Sequence, residues 1–259
     1  MAGTERHAET ETSLQLSPAW CLRQGLEGLR ERRSRLLLRA VLCASAGGIR
    51  VEGAHRLAGL SDPAVFALSH HSAYEALLAP AALIALRGGR RVRFLVDWMY
   101  LELPLAGALL RRGAPIAVYR KPPRWRWREA VRERGLRSVS PADRALAALA
   151  DGDSVGIYPE GRRNADPWTL APLRRGAAVL ATRSGAPLVP IGIDFPARER
   201  LGRVPRLGRM VLRIGEPLLP PPGPPPRARP RPAGDDSTAA LSSRLQSALA
   251  GLARKTVLN

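Results

Sequence analysis

PAVFALSHHSAYE, residues 63–75, decides the class of this chain. Residues 64–68 are an apolar run without polar alternation, and the run ends abruptly in Ser69, His70 and His71. A strand buried on both faces reads this way, and in α/β domains such strands deliver polar groups at their C-terminal ends. Residues 74–86 read as the helix that follows, with a kink or interruption expected at Pro80, which lacks an N–H and crowds the preceding turn. The alternation repeats outward. Short strands are expected at 49–51, 92–96, 116–118, 155–158, 188–193 and 211–214, and helices at 105–110, 140–150 and 174–183. Ser140-Pro141-Ala142-Asp143 is a helix start and Gly185 a helix stop. The expected fold is α/β: a mixed, largely parallel central sheet flanked by helices, with an N-terminal amphipathic helical segment.

The flanks of that domain, residues 49–216, differ in composition. Residues 1–17 are polar and expected to be disordered. Residues 18–48 read as amphipathic, membrane-associating helices. Trp20, Leu22, Leu26, Leu29, Leu36 and Val41 recur at roughly helical spacing over 20–43, with arginines between them. Such a helix either lies on an anionic membrane or packs on the core with its basic face in water. Residues 217–236 form a proline-rich linker, and 237–259 a final amphipathic helix packing on the domain.

Composition narrows the partners. The chain has 259 residues, enough for one sizeable core, and 45% of them are apolar. The net charge of +19 comes from 41 Lys and Arg against 22 Asp and Glu, and only Lys121 and Lys255 are lysines. Such an excess suits nucleic acid, an anionic membrane or an acidic substrate, or reflects an arginine-biased composition of the source. It is concentrated between Arg111 and Arg137, where Arg124-Trp125-Arg126-Trp127-Arg128 interleaves aromatic rings and cations. That loop suits stacked bases or a lipid headgroup layer. The longest apolar run, 76–86, has 11 residues and is short for a membrane span. The N-terminus lacks the apolar stretch of a secretory signal. Cys21 and Cys43 are too few for a disulfide framework or a four-thiolate metal site, which points to a reducing compartment.

Two segments carry chemistry. His70 stands five residues before Glu75, the arrangement of a general base with its orienting acid. Five positions on an ideal helix lie roughly 140° apart, so His70 has to sit in the turn before the helix for Glu75 to reach it. His71, four residues before Glu75, is a second candidate base. Tyr158-Pro159-Glu160-Gly161-Arg162-Arg163-Asn164 follows a strand. Its glycine lets backbone approach a ligand, and its arginines suit the oxygens of a phosphate. Gly152-Asp153-Ser154-Val155-Gly156 matches the hydrolase nucleophile elbow, but there the strand should precede the turn and here it follows, so Ser154 is set aside. Gly156 to Gly161 has the glycine spacing of a P-loop without its Lys-Ser/Thr pair.

Together these segments resemble the glycerolipid acyltransferase family, typified by 1-acylglycerol-3-phosphate acyltransferases. The family's Asn-His-x4-Asp block reads Ser69-His70-x4-Glu75 here. Its second block, a glycine turn into a strand ending in arginine, resembles residues 113–120, one residue longer and with Tyr119 where an acid is common. Its Phe-Pro-Glu-Gly-Thr-Arg-Ser block appears as Tyr158 to Asn164, with Arg162 in place of Thr. Its Val-Pro-Val-x-Ile strand appears as Val189 to Ile193, and the likeness extends over roughly 45–255. The resemblance implies an acyltransferase of phospholipid biosynthesis in which His70 deprotonates the acceptor hydroxyl and Glu75 holds His70. Arg120 and Arg163, with Arg162 beside them, would bind the acceptor's phosphate, and Glu160 and Gly161 would shape that pocket. It implies an acyl-CoA or acyl carrier protein thioester as co-substrate, a lysophospholipid acceptor, and neither cofactor nor metal. Given these blocks the basic surfaces are assigned to anionic lipid, no nucleic acid is expected, and the protein is placed peripherally on the cytoplasmic face of a membrane. The departures at Ser69 and Glu75 also admit a catalytically weak or inactive member of the family that only binds anionic lipid.

Overall fold

The computed structural model describes residues 13–103, 106–120, 122, 128–205, 207–221 and 236–257. The first elements are β1 (Leu14–Gln15), α1 (Pro18–Arg23), α2 (Arg32–Ala44) and β2 (Ile49–Glu52). A 3-10 turn then leads to β3 (Val65–Leu68), α3 (Ala73–Leu86), β4 (Val92–Asp97), α4 (Trp98–Leu101), α5 (Ala106–Arg112) and β5 (Ile116–Val118). After α6 (Glu129–Leu136) and α7 (Pro141–Ala150) come β6 (Ser154–Ile157), β7 (Thr169–Leu170), α8 (Gly176–Ser184) and β8 (Leu188–Asp194). The chain continues through α9 (Ala197–Leu201), β9 (Met210–Ile214), α10 (Asp236–Ala253) and β10 (Thr256–Val257).

The main sheet runs β1-β2-β9-β8-β3-β6-β4-β5. From β8 to β5 every neighbour is parallel, whereas β9 is antiparallel to β8 and β1 antiparallel to β2. β3 lies between β8 and β6, and all four of its residues are fully buried, which is why its sequence shows no polar alternation. Its side chains still alternate in direction. Phe66 and Leu68 pack into a core with residues of α3 and β9, while Val65 and Ala67 join residues of α7, α8 and α10. The sheet is therefore covered on both faces. Each large apolar side chain so buried contributes roughly 1.5–3 kcal/mol. Because β3, β6, β4 and β5 are parallel, their C-terminal ends share one edge, and the segments following β3, β5 and β6 meet there.

The structure departs from the sequence expectations where tertiary contacts override local pattern. Residues 14–17, expected to be disordered, are ordered: β1 pairs with β2, Leu16 is fully buried, and Ser17 caps α1 through the Trp20 N–H. The helical periodicity over 20–43 is two helices, because the Gly28 N–H donates to Gly88 O at 3.1 Å and binds the link between them to the turn after α3. α3 runs unbroken through Pro80. The expected linker begins bound to the sheet, Leu218 and Leu188 exchanging backbone hydrogen bonds. Residues 222–235 and the Trp125–Trp127 segment lie outside the described residues. At the other end α10 crosses β8 so closely that a Cβ at Gly192 would stand 2.3 Å from Leu252 C. That crossing delivers β10 to β7, its parallel partner.

Candidate active site

α3 starts with a capping box. Ser72 Oγ accepts from the Tyr74 N–H, and the Glu75 carboxylate reaches back to the Ser72 N–H at 2.6 and 2.7 Å. The same carboxylate accepts the His71 N–H at 2.5 Å and the Ser72 hydroxyl, and Oε1 lies 3.0 Å from His70 Nδ1. Glu75 has no exposed surface. Burial alone would raise its pKa, but the bonds from His70, Ser72 and the two backbone amides outweigh it and hold the carboxyl below its usual range. An ionised carboxylate only accepts, so Nδ1 carries the proton and Nε2 is left with its lone pair. His70 sits in the turn ahead of the helix, as the 140° separation requires, with 16% of its side chain exposed.

His71 is corrected as a candidate base. Its ring is buried edge-on against Phe195, 5.9 Å between centroids, and neither ring nitrogen has a hydrogen-bond partner. Desolvation first, then the charges of Lys255, His70 and Arg198 against that of Glu75, lower its pKa to about 3. The folded pKa lies below the usual 6.5, so stability falls as pH drops from about 6.5 toward 3, where the unfolded chain binds the proton and the folded chain resists it. His71→Leu is expected to leave acyl-transfer kinetics near wild type and to flatten the loss of Tm between those pH values. A large fall in kcat with Tm preserved would return His71 to the mechanism.

The loop after β6 is strapped to the first segment. Glu160, expected among the substrate-binding residues, is turned inward and does not line the cleft. Its carboxylate accepts the His70 N–H at 2.7 Å and the Ala171 N–H at 3.2 Å. Burial raises its pKa against those bonds and the Lys255 charge. The Asn164 N–H donates to His70 O at 2.8 Å, so both backbone groups of His70 are held by this loop. Gly161 turns at φ 67°, and a Cβ there would meet Arg174 Nε at 2.4 Å. Tyr158 lays its ring 4.4 Å from that of His70. Burial, with the Glu75 charge, keeps its hydroxyl neutral.

His70 opens on a cleft of about 550 Å³. Leu37, Leu38 and Val41 of α2 and Leu77, Pro80 and Ile84 of α3 form an apolar wall. Arg120, Arg162 and Arg163 line the cleft with Gly161, and so do Arg112 and Arg174, which the sequence reading passed over. None of these five arginines has an ion pair among the described residues, and all five are exposed. The only hint of Arg174 in the sequence is its place beside Arg175-Gly176. Ser69, where the family block has Asn, is structural: its Oγ accepts the Ile193 N–H at 2.8 Å. Ser154 lies at the opposite end of β6, fully buried and bonded to the Ala64 N–H, Asp62 and Arg87. Among the described residues no cluster of three or more His, Cys, Asp or Glu is placed to hold a metal ion, and no helix is long and apolar enough to cross a membrane.

The mixed, largely parallel sheet thus presents a histidine–carboxylate pair in a cleft lined by apolar side chains and arginines. Residues 48–194 match the Acyltransferase family, and the chain belongs to that family. It is 40% identical over 73 residues to a 1-acyl-sn-glycerol-3-phosphate acyltransferase of Bacillus subtilis, covering 28% of this chain and 34% of that protein. It is 26% identical over 141 residues to the chloroplastic 1-acyl-sn-glycerol-3-phosphate acyltransferase BAT2 of Brassica napus, covering 54% and 36%. The chain thus spans about a third of the length of these curated relatives. The crystal structure of the 1-acyl-sn-glycerophosphate (LPA) acyltransferase PlsC from Thermotoga maritima shares the fold. Its TM-score is 0.54 at 17% identity, over 86% of this chain and 83% of that one.

Proposed function

We propose that the protein transfers a fatty acyl group from an acyl-CoA or acyl carrier protein thioester to the free hydroxyl of a lysophospholipid such as 1-acylglycerol-3-phosphate. One observation carries this reading: His70, its Nδ1 on Glu75 at 3.0 Å, lines one cleft together with apolar side chains of α2 and α3 and five arginines. An acyl chain suits the apolar side chains and a phosphate the arginines. The acceptor hydroxyl gives its proton to Nε2 as its oxygen attacks the thioester carbonyl carbon. When the carbon–sulfur bond breaks, the leaving thiolate takes that proton back from the imidazolium, which Glu75 stabilises meanwhile. The net change is one new ester and one free thiol.

The arginines place the acceptor. Arg120 and Arg163 are assigned to its phosphate, with Arg162 and Arg174 flanking. Arg163→Ala is expected to raise the acceptor's KM roughly 10–100-fold, the equivalent of a lost hydrogen bond to a charged group, and to leave the KM of acyl-CoA unchanged. Steady-state kinetics with each substrate varied in turn checks this. The outer side of α1 and α2 supports docking on an anionic bilayer: Leu22 and Leu36 are 61% and 54% exposed beside exposed Arg32 and Arg33. The docked protein is peripheral, on the cytoplasmic side where the donors are.

The test is a product assay with purified protein, vesicles holding 1-acylglycerol-3-phosphate, and labelled acyl-CoA or acyl carrier protein. The diacyl phosphate lipid is the expected product. Vesicle binding without turnover by either donor would replace this reading with that of a lipid-binding family member.

A further inference from the structure

Loop 160–171, which holds His70 and carries Arg162 and Arg163, has a second set of attachments, made by residues that do not line the cleft. Four consecutive carbonyls in it are taken by groups from near the C-terminal end of the described chain or from Arg198. Lys255 Nζ donates to Asp166 O and, at 3.2 Å, to Thr169 O. Arg198 Nη1 donates to Pro167 O at 2.7 Å, and the Thr256 N–H to Trp168 O at 2.8 Å. Arg198 Nη2 ties the two elements by donating to Arg254 O at 2.7 Å. Lys255 is buried, 7% exposed, and its ammonium charge acts on the Glu160 carboxylate. Glu160 in turn holds the His70 amide.

We infer that Lys255 is a positioning residue for the site: it fixes the arginine loop from behind and supplies the countercharge that keeps Glu160 on the His70 backbone. The inference rests on the acyltransferase reading for its kinetic arm only. Burial, against the attraction of Glu160, Asp166 and Asp194 and with the repulsion of Arg198, lowers the Lys255 pKa to about 8. At neutral pH the folded chain therefore binds that proton less tightly than the unfolded chain does, which opposes folding. The Lys255 charge also acts on the neutral His71 ring and on Asp166. As pH rises through about 8 the ammonium loses its proton and Glu160 its countercharge.

The test compares wild type, Lys255→Met and Lys255→Arg by two readouts. Kinetically, Lys255→Met is expected to lower kcat by up to about 100-fold, the cost of displacing a catalytic group by about 1 Å, with the KM of acyl-CoA unchanged. Lys255→Arg should restore most of kcat and move the alkaline limb of the wild-type profile, near pH 8, upward, since guanidinium stays protonated. Independently of turnover, hydrogen exchange should show wild-type protection of residues 69–75 and 160–171 falling above pH 8, and holding in Lys255→Arg. Residues 210–214 of β9 serve as the unaffected control. Wild-type kcat and protection in Lys255→Met would overturn the inference, and so would an alkaline limb unmoved by Lys255→Arg. If wild type turns over no acyl donor, the acyltransferase reading fails while the exchange arm still decides this one. If Lys255→Met does not fold, Lys255→Arg across the alkaline range decides it.

Discussion

His70→Ala is expected to lower kcat/KM for acyl transfer roughly 10²–10⁴-fold, the range lost when a positioned general base is removed, with the fold intact. The fold should survive because His70 contributes little from its side chain to the core. Its ring is partly exposed at the cleft, and the bonds that anchor the segment are made by its backbone, to Glu160 and Asn164. Alanine keeps both. Circular dichroism and thermal unfolding matched to wild type, beside the product assay, separate lost chemistry from lost structure. Full activity in His70→Ala would remove the proposed mechanism, since His71 is buried with no open path to substrate.

The second large effect is at Glu75, where two roles share one carboxylate. Glu75→Asp introduces the acid usual in the resembling family, yet it is expected to cost activity here, about 100-fold for a displacement near 1 Å. The longer side chain reaches His70 Nδ1 while still closing the capping box on Ser72, and one methylene fewer withdraws it from one or the other. Glu75→Gln tests the charge. Its amide oxygen can keep the His70, His71 and Ser72 N–H groups, but the amide nitrogen now donates toward the Ser72 hydroxyl and the charge-assisted character of the bonds is lost, costing about 1–3 kcal/mol. The pH dependence has a definite sign. The folded pKa lies below the ordinary 4.5, so the stability Glu75 supplies is present above about 4.5 and drains away as pH falls through the folded value. Thermal unfolding from pH 6 to 3 should show this slope reduced in Glu75→Gln. A Glu75→Asp enzyme with wild-type kcat would mean that the backbone of this turn adjusts to either acid.

How much of this was legible in the sequence follows from the range of each interaction. Ser72 and Glu75 are three residues apart, within reach by capping-box geometry, and His70, five residues before Glu75, comes within reach once it sits in the turn ahead of the helix. The apolar run of β3 was legible for a similar reason, since burial on both faces leaves its mark in consecutive residues. Pro80 does not interrupt the helix: propensity weighs the missing hydrogen bond but not the packing of Leu78, Ala79, Ala81, Ala82 and Leu83 that carries the helix past it. Glu160 was misassigned because its motif shows that a carboxylate is present but not which way it turns. Its partner, the His70 N–H, is 90 residues away.

By itself the sequence determined the α/β alternation, the capped turn that pairs His70 with Glu75, the family, and the absence of an apolar run long enough to span a bilayer. Each of these rests on residues a few positions apart or on a motif read in order. Only the tertiary structure decided that His70 rather than His71 opens on the cleft, that α2 supplies its apolar wall, and that Arg112 and Arg174 line it. It also decided that Lys255 lies beneath the arginine loop. Parallel strands joined by long crossovers bring these groups together from across the chain, and no local periodicity records which side chains meet at the strand ends.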